Sequence, residues 1–137
     1  MRRRAFLTFV SGVLAAPFAS AQPATRIYRV AVILTTSPLA EMTGEDPVHP
    51  TIRAFVHEMR ARGYVEGRNL ILERRTAAGR PERYPGIVAE LVGLKADVIV
   101  TAGRGALIAS AKNAWDGVPL VTLGTDDPVK YGLARSL

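Results

Sequence analysis

The sequence contains no cysteine, and this absence excludes several classes of chemistry. Without thiols the chain forms no disulfide, offers no thiolate nucleophile and holds no metal through sulfur. It also lacks the cysteine that a bacterial lipoprotein needs just after its cleavage site. If the protein is exported, we therefore expect a free protein rather than a lipid-tethered one.

Strongly basic segments are also scarce beyond the amino terminus. The formal net charge is +6, but Arg2, Arg3 and Arg4 supply half of it, which leaves +3 for the rest of the chain. The other basic residues are scattered and are not interleaved with aromatic residues, so a nucleic-acid interface is not indicated. Hydrophobic residues make up 48% of the 137 residues, which suits one compact domain with a packed core.

The first 21 residues have the three parts of a cleavable signal peptide. Met1–Arg4 is basic, residues 5–16 form an apolar run too short to span a bilayer, and residues 19–21 (ASA) match the small-x-small cleavage pattern. We predict export to the periplasm, with Gln22 as the first mature residue. Residues 3–7 (RRAFL) also match the core of a twin-arginine leader, so both the Sec and the twin-arginine route stay open.

Apolar strands alternate with amphipathic helices along residues 22–137. Strands are predicted at 28–34, 69–75, 97–101 and 119–123, and helices at 52–62 with Thr51 as a cap, at 84–93, at 103–114 and from Pro128 onward. This order predicts an α/β fold with a doubly wound, parallel, Rossmann-like sheet of four strands and helices on both faces. We expect the strand order 2-1-3-4.

Polar residues follow the carboxyl ends of three predicted strands. In parallel α/β sheets, ligands bind outside these ends, where the amino ends of helices direct amide groups at them. The predicted ligand-binding residues are Thr35, Thr36 and Ser37, then Thr101, Gly103 and Arg104, and finally Thr125 and Asp126. Arg104 or a helix amino end suits a ligand carboxylate, and Asp126 or Asp127 suits an amino group. The loops therefore favour a small polar ligand.

Each of these loops also has a purely structural interpretation. Serine and threonine after a strand often form turns, and Asp127 before Pro128 has the features of a helix N-cap. Gly103 and Gly105 fit a tight strand-to-helix turn. They also resemble the start of a dinucleotide-binding loop, but Ile108 stands where that motif needs glycine or alanine.

The other chemistry-bearing residues form no recognisable centre. Asp46 and His49 are two metal-ligand types in a proline-rich loop, which is too few for a metal site. We interpret His49 and His57 as surface residues and Trp115 as part of the core. There is no nucleophile elbow, phosphate loop or carboxylate pair with a clear role. We therefore predict no metal, no cofactor and no catalytic residues.

Several stretches carry a family resemblance. They are residues 2–7 (RRRAFL), 63–70 (GYVEGRNL), 80–85 (RPERYP), 89–92 (AELV), 95–100 (KADVIV), 126–129 (DDPV) and 132–137 (GLARSL). Together they resemble the substrate-binding proteins of ABC importers, of the type often assigned to tryptophan, tyrosine or uncharacterised solutes. The motifs G-Y-x-E-G-x-N and D-P-V-x-x-G-L are the most specific, and the resemblance runs along nearly the whole chain.

The resemblance implies a periplasmic binding protein of type I, with two Rossmann-like lobes that close on a solute and then dock on an inner-membrane permease. Such proteins have no catalytic residues. Members of this family continue past the position of Leu137, so we expect residues 22–137 to be a partial N-terminal lobe that lacks its C-terminal lobe.

Three functions stay open at this point. The first is a solute-binding component of an importer, or a fragment of one. The second is an exported enzyme with a Rossmann or flavodoxin-like domain, which the twin-arginine match favours and the lack of a phosphate loop opposes. The third is a remnant without a function of its own.

Overall fold

A computed structural model describes residues 26–124 and 127–135. The predicted leader, Thr125 and Asp126 lie outside the described residues. The regular elements are β1 (Tyr28–Leu34), α1 (Pro50–Ala61), β2 (Leu70–Thr76), α2 (Tyr84–Gly93), β3 (Val98–Ala102), α3 (Gly105–Ser110) and β4 (Leu120–Leu123). Short 3₁₀ turns lie at Leu39–Met42, Pro81–Arg83 and Lys112–Ala114. Within the described part of the chain, no helix is long and apolar enough to cross a membrane.

The four strands form one parallel sheet in the order β2-β1-β3-β4. Tyr28 of β1 lies opposite Leu70 of β2, and Val30 of β1 lies opposite Val98 of β3. The predicted α/β fold and strand order are confirmed. Strand β2 lies on one side of β1, and β3 and β4 lie on the other side. The strand order therefore reverses between β1 and β3, and the switch point of the topology lies at the carboxyl ends of these two strands.

Side chains from alternate strand positions pack on opposite faces of the sheet, as the pleat requires. One core combines Ala31, Ile33 and Ile99 with side chains of α2 and α3, namely Tyr84, Val88, Leu91 and Ile108. The other core combines Val30, Val32, Leu34 and Val100 with Ile52 and Val56 of α1 and with Met42. Helices therefore cover both faces, and the sheet is doubly wound.

Helix α1 begins two residues earlier than predicted. Pro50 occupies the first turn, and within the described part of the chain no side chain caps the helix. The prediction that Thr51 is the cap is therefore wrong, because the fixed φ of Pro50 already suits the first helical position. The predicted stop at Gly63 is confirmed. Gly63 has φ +88°, and the bonds from Gly63 N to the Arg60 carbonyl (3.0 Å) and from Tyr64 N to the Met59 carbonyl (2.9 Å) form a Schellman motif.

Helix α2 ends in the same motif with a less suitable residue. Lys95 has φ +58°, and its N–H donates to the Val92 carbonyl at 2.9 Å. The N–H of Ala96 donates to the Leu91 carbonyl at 3.2 Å. A lysine thus holds the left-handed position that glycine fills after α1, which costs conformational energy for a residue with a Cβ atom.

The G-Y-x-E-G-x-N segment forms the connection from α1 to β2. The Asn69 side chain accepts from the Val65 N–H at 2.8 Å and donates to the Gly63 carbonyl at 2.9 Å. Glu66 binds Arg74 through two hydrogen bonds of 2.7 and 2.8 Å. The Asn69 bonds lie at the amino end of β2, so the segment has a structural role away from the predicted site.

Two predicted helices differ from the structure. The helix predicted at 103–114 ends at Ser110, whose hydroxyl donates to the Leu107 carbonyl at 2.6 Å, and a 3₁₀ turn follows. Serine hydroxyls that bond to the backbone in this way compete with helix continuation. The helix predicted from Pro128 is wrong, because residues 128–132 form turns and Gly132 has φ +67°. Asp127 does cap this turn, since its Oδ1 accepts from the N–H groups of residues 129 and 130 at 2.9 and 3.2 Å.

Candidate functional site

The loops after β1 and β3 meet at the switch point of the sheet. Thr35 follows β1 and Gly103 follows β3. A Cβ atom added to Gly103 would lie 2.8 Å from Cγ2 of Thr35, which is closer than carbon atoms approach without displacement. Gly103 therefore allows the two loops to touch, and Thr35 becomes the centre of the site.

The loop after β2 is held against the same centre. The Gly79 N–H donates to the Thr35 carbonyl at 2.8 Å, and the Thr76 hydroxyl donates to the Ser37 carbonyl at 2.7 Å. These bonds fix the backbone of Thr35–Ser37. Loops from three strands thus form one edge, as the topology requires.

Three open cavities adjoin Thr35. The first, which we call the α3 cavity, has a volume of about 590 Å³ and is lined by Thr35, Thr36, Ala77, Pro81, Arg104 and Leu107 among others. The β4 cavity has about 660 Å³ and is lined by Thr35, Gly103, Arg104, Ala106, Gly124 and Tyr131. The α1 cavity has about 250 Å³, and its lining includes Thr35, Thr36, Ser37, His49, Thr51 and Gly103. The site therefore offers hydroxyl groups, a guanidinium and apolar walls side by side.

Five of the predicted ligand-binding residues line these cavities. Thr35, Thr36 and Ser37 follow β1, and Gly103 and Arg104 follow β3. The side chain of Arg104 is exposed, and its carbonyl accepts hydrogen bonds from residues 107 and 108 in the first turn of α3. Their role in ligand binding stays a prediction.

Thr101 is placed differently from the other predicted residues. It has no exposed surface, and its hydroxyl lies 2.8 Å from the Tyr84 hydroxyl, which is equally buried. Burial raises the pKa of Tyr84 to about 12, and the hydrogen bond with Thr101 opposes that rise only in part. The pair is a neutral polar contact inside the core, and Thr101 does not face the cavities.

Several residues that line the cavities were missing from the predicted site. Among them are Pro81 in the α3 cavity, Tyr131 in the β4 cavity and His49 in the α1 cavity. His49, which we interpreted as a surface residue, is partly exposed at the start of α1 and lines the α1 cavity. The position of His49 directly before a predicted helix could have indicated this place, since helix α1 follows the carboxyl end of β1.

The remaining polar candidates have local partners. Asp46 Oδ1 lies 3.0 Å from Nε2 of His57, and both side chains are exposed. Between residues 26 and 135, apart from positions 125 and 126, no three histidine or acidic side chains form a group that could hold a metal ion. Trp115 is 8% exposed and packs edge-on against Tyr84, so its prediction as a core residue is confirmed.

Two solved structures share this fold. A conserved domain protein from Vibrio cholerae O1 biovar El Tor is 26% identical, with a TM-score of 0.66 over 82% of this chain. The ligand-free, open structure of CD0873, a substrate-binding protein with adhesive properties from Clostridium difficile, is 20% identical, with a TM-score of 0.66 over 81% of this chain. This chain spans 35% of each of those proteins.

No protein-family model matches the sequence, and no curated protein matches it significantly. The architecture is thus an α/β fold that also occurs in a substrate-binding protein.

Proposed function

We propose that this protein is the solute-binding component of an ABC-type importer and captures a small, polar, amino-acid-like solute in the periplasm. The observation that carries the proposal is the convergence of Thr35–Ser37 and Gly103–Arg104 on open cavities at the switch point of the sheet. The shared fold with a substrate-binding protein supports a small-molecule ligand.

The chemistry of the lining supports binding without a reaction. Arg104 offers a planar guanidinium that can hold a carboxylate through two parallel hydrogen bonds. Hydroxyls of Thr35, Thr36 and Ser37 can donate to or accept from either end of an amino acid. Ala77 and Pro81 add an apolar wall. Such a mixture is typical of sites that fix a ligand with a few polar groups in an apolar cleft.

The proposed cellular setting follows from the leader. Residues 1–21 would direct export by the Sec or the twin-arginine route, and the loaded protein would deliver its solute to a permease in the inner membrane. We also propose that residues 22–137 form part of an N-terminal lobe and that a C-terminal lobe completes the cleft. The share of 35% that the chain spans of each solved structure is compatible with one lobe.

The test is thermal unfolding of the purified chain against a panel of amino acids and other small polar solutes. A ligand that binds only the native state raises the free energy of unfolding, by about 2.7 kcal/mol at a concentration 100 times its Kd. The Tm of the protein rises accordingly. We expect one solute or one group of related solutes to raise Tm, and Arg104→Ala to reduce that rise. Asp126→Ala tests the predicted contribution of the loop after β4.

Arg62→Ala is the matched control, because Arg62 is exposed and lies at the carboxyl end of α1, away from the cavities, where it pairs with Glu58. A cooperative transition that no solute shifts would contradict binding by this chain alone. An absorbance spectrum with a bound flavin or nicotinamide would favour an exported enzyme instead.

A further inference from the structure

The chain leaves β2 through a turn that contains a strained residue. The Arg80 N–H donates to the Ala77 carbonyl at 3.0 Å and closes a four-residue turn, Ala77–Arg80, which we call the β2 turn. Its two central residues, Ala78 and Gly79, have φ +51° and +73°. Glycine adopts such values readily, whereas a residue with a Cβ atom does so at a cost in conformational energy. Ala78 therefore keeps this conformation only if other contacts hold it.

The hydroxyl of Thr76 provides such a contact and also joins the β2 turn to a second loop. It accepts a hydrogen bond from the Ala78 N–H at 3.0 Å, and it donates to the carbonyl of Ser37, in the loop after β1, at 2.7 Å. Because Thr76 is the last residue of β2, the sheet fixes its backbone, and its branched side chain has few conformations of its own. One rigidly placed oxygen atom thus connects the two segments.

These two segments form two walls of the α3 cavity. The loop after β1 contributes Thr35 and Thr36, and the β2 turn contributes Ala77 and Gly79. The Gly79 N–H also donates directly to the Thr35 carbonyl at 2.8 Å. Thr76 itself does not line this cavity. The place of one wall relative to the other therefore depends on hydrogen bonds that include a residue behind both walls.

We propose that Thr76 is a positioning residue for solute binding, because its hydroxyl holds the strained β2 turn against the loop after β1 and so fixes two walls of the α3 cavity before the solute binds. This inference rests on the proposed function and names a residue outside the cavity that determines its affinity. A site whose walls are already in place loses less conformational freedom on binding, and it therefore binds more tightly. Without the hydroxyl, Ala78 leaves its left-handed conformation more easily, and the solute must then order the wall at the expense of affinity.

The first test compares the affinity of Thr76→Val, Thr76→Ser and wild type for the solutes that raise the Tm of wild type in the amino-acid panel. Valine keeps the branched shape without the hydroxyl, and serine keeps the hydroxyl. We expect Thr76→Val to weaken binding about 10-fold and Thr76→Ser to stay within about twofold of wild type. Wild-type affinity in Thr76→Val, or an equal loss in Thr76→Ser, would overturn the proposal.

Asn69→Ala is the control for a loss of stability alone. Asn69 holds the connection before β2 through two hydrogen bonds at the opposite end of that strand from Thr76. Its substitution should lower Tm and leave the affinity for the solute unchanged. If Asn69→Ala weakened binding as much as Thr76→Val, the effect of Thr76→Val would be one of stability, and the positioning role would be refuted.

Ala78→Gly tests whether the strained turn is what the hydroxyl controls. Glycine adopts the left-handed conformation without strain, so the turn should then depend less on Thr76. We expect Thr76→Val to weaken binding about 10-fold in the wild-type background and only about threefold in the Ala78→Gly background. Equal losses in the two backgrounds would mean that Thr76 does not act through the turn, and the proposal would be wrong.

The second test requires no solute. Amide hydrogen exchange, measured by NMR, reports opening of the β2 turn through the Gly79 N–H, which is bound to the Thr35 carbonyl. We expect Thr76→Val to speed this exchange about 10-fold, and Thr76→Ser and Asn69→Ala to leave it unchanged. Unchanged exchange in Thr76→Val, or equal acceleration in Asn69→Ala, would contradict the role of Thr76. Faster exchange in Thr76→Val without a response of wild type to any solute would contradict the proposed function and support the role of Thr76 in holding the turn.

Discussion

The buried hydroxyl pair of Tyr84 and Thr101 allows a sharp test of the core beneath the site. Tyr84→Phe and Thr101→Val each remove one hydroxyl and keep the shape of the side chain. Both side chains are fully buried, and their oxygens lie 2.8 Å apart. Each single substitution therefore leaves the other hydroxyl buried without its partner.

The expected magnitudes follow from that asymmetry. A buried hydroxyl that loses its partner costs about 1–3 kcal/mol, whereas removal of both partners is close to neutral. We expect Tyr84→Phe and Thr101→Val each to lower the free energy of unfolding by about 1–2 kcal/mol. The double variant should lose no more than either single variant, so the coupling energy should be about 1–2 kcal/mol.

Urea unfolding measures these values, with Trp115 fluorescence as the probe. Trp115 is the one tryptophan of the chain and packs with its ring centre 6.5 Å from that of Tyr84, so its emission reports on this core. The slope of the transition must stay constant for the comparison to hold. Single-variant losses that add within about 0.5 kcal/mol in the double variant would refute a direct interaction.

The pH dependence of the same variants supplies an independent check. The pKa of Tyr84 is raised from 10.0 to about 12, mainly because burial disfavours the phenolate. The corresponding stabilisation is fully present below pH 10.0 and is lost as the pH rises through about 12. Tyr84→Phe should therefore lose less stability than wild type over this interval. An equal alkaline loss in both proteins would mean that Tyr84 is not protected from ionisation.

Three further predictions concern backbone ends and charge. Lys95 and Gly63 both hold left-handed positions after helices, where glycine is favoured. Lys95→Gly should therefore raise the free energy of unfolding by about 0.5–1 kcal/mol, and Gly63→Ala should lower it by about 1 kcal/mol. Urea midpoints of the two variants that shift in the same direction would contradict this. Asn69→Ala should cost about 1–2 kcal/mol through two lost hydrogen bonds, measured in the same assay. The pKa of Asp97 lies below its usual 3.8, first because the Arg29 N–H donates to it. Its stabilisation is present above that pH and is lost as the pH falls through the lowered pKa, so Tm of Asp97→Asn should fall less on acidification than that of wild type.

The strands and helix α2 could be predicted because their patterns are long and local. Residues 30–34 form a continuous apolar run that suits a strand covered on both faces, and Tyr84–Gly93 carries apolar residues at helical spacing. The end of α3 and the turn after Pro128 could not be predicted in this way. They depend on the Ser110 hydroxyl and on Gly132, where one local contact outweighs the pattern.

The contact between Thr35 and Gly103 could be predicted from the order of the strands. Thr35 follows β1 and Gly103 follows β3, and these two strands are neighbours in the predicted sheet. Alternation explains why Thr101 is different, since it lies two residues after Ile99 and therefore shares the buried face of Ile99. His49 and Tyr131 reach the site from loops whose paths depend on long-range contacts, and no local pattern indicates such contacts.

The G-Y-x-E-G-x-N segment and the cavities lie at opposite ends of the sheet, whereas two other stretches that carry the resemblance contribute Pro81 and Tyr131 to the cavity walls. Asn69 and Glu66 of the G-Y-x-E-G-x-N segment hold the connection before β2, whereas Thr35, His49 and Arg104 lie beyond the carboxyl ends of β1 and β3. A motif that stabilises the connection can stay constant while the loops at the other end change their ligand. If the proposed function holds, we therefore expect the identity of the solute to depend on the side chains around Thr35 rather than on the G-Y-x-E-G-x-N segment.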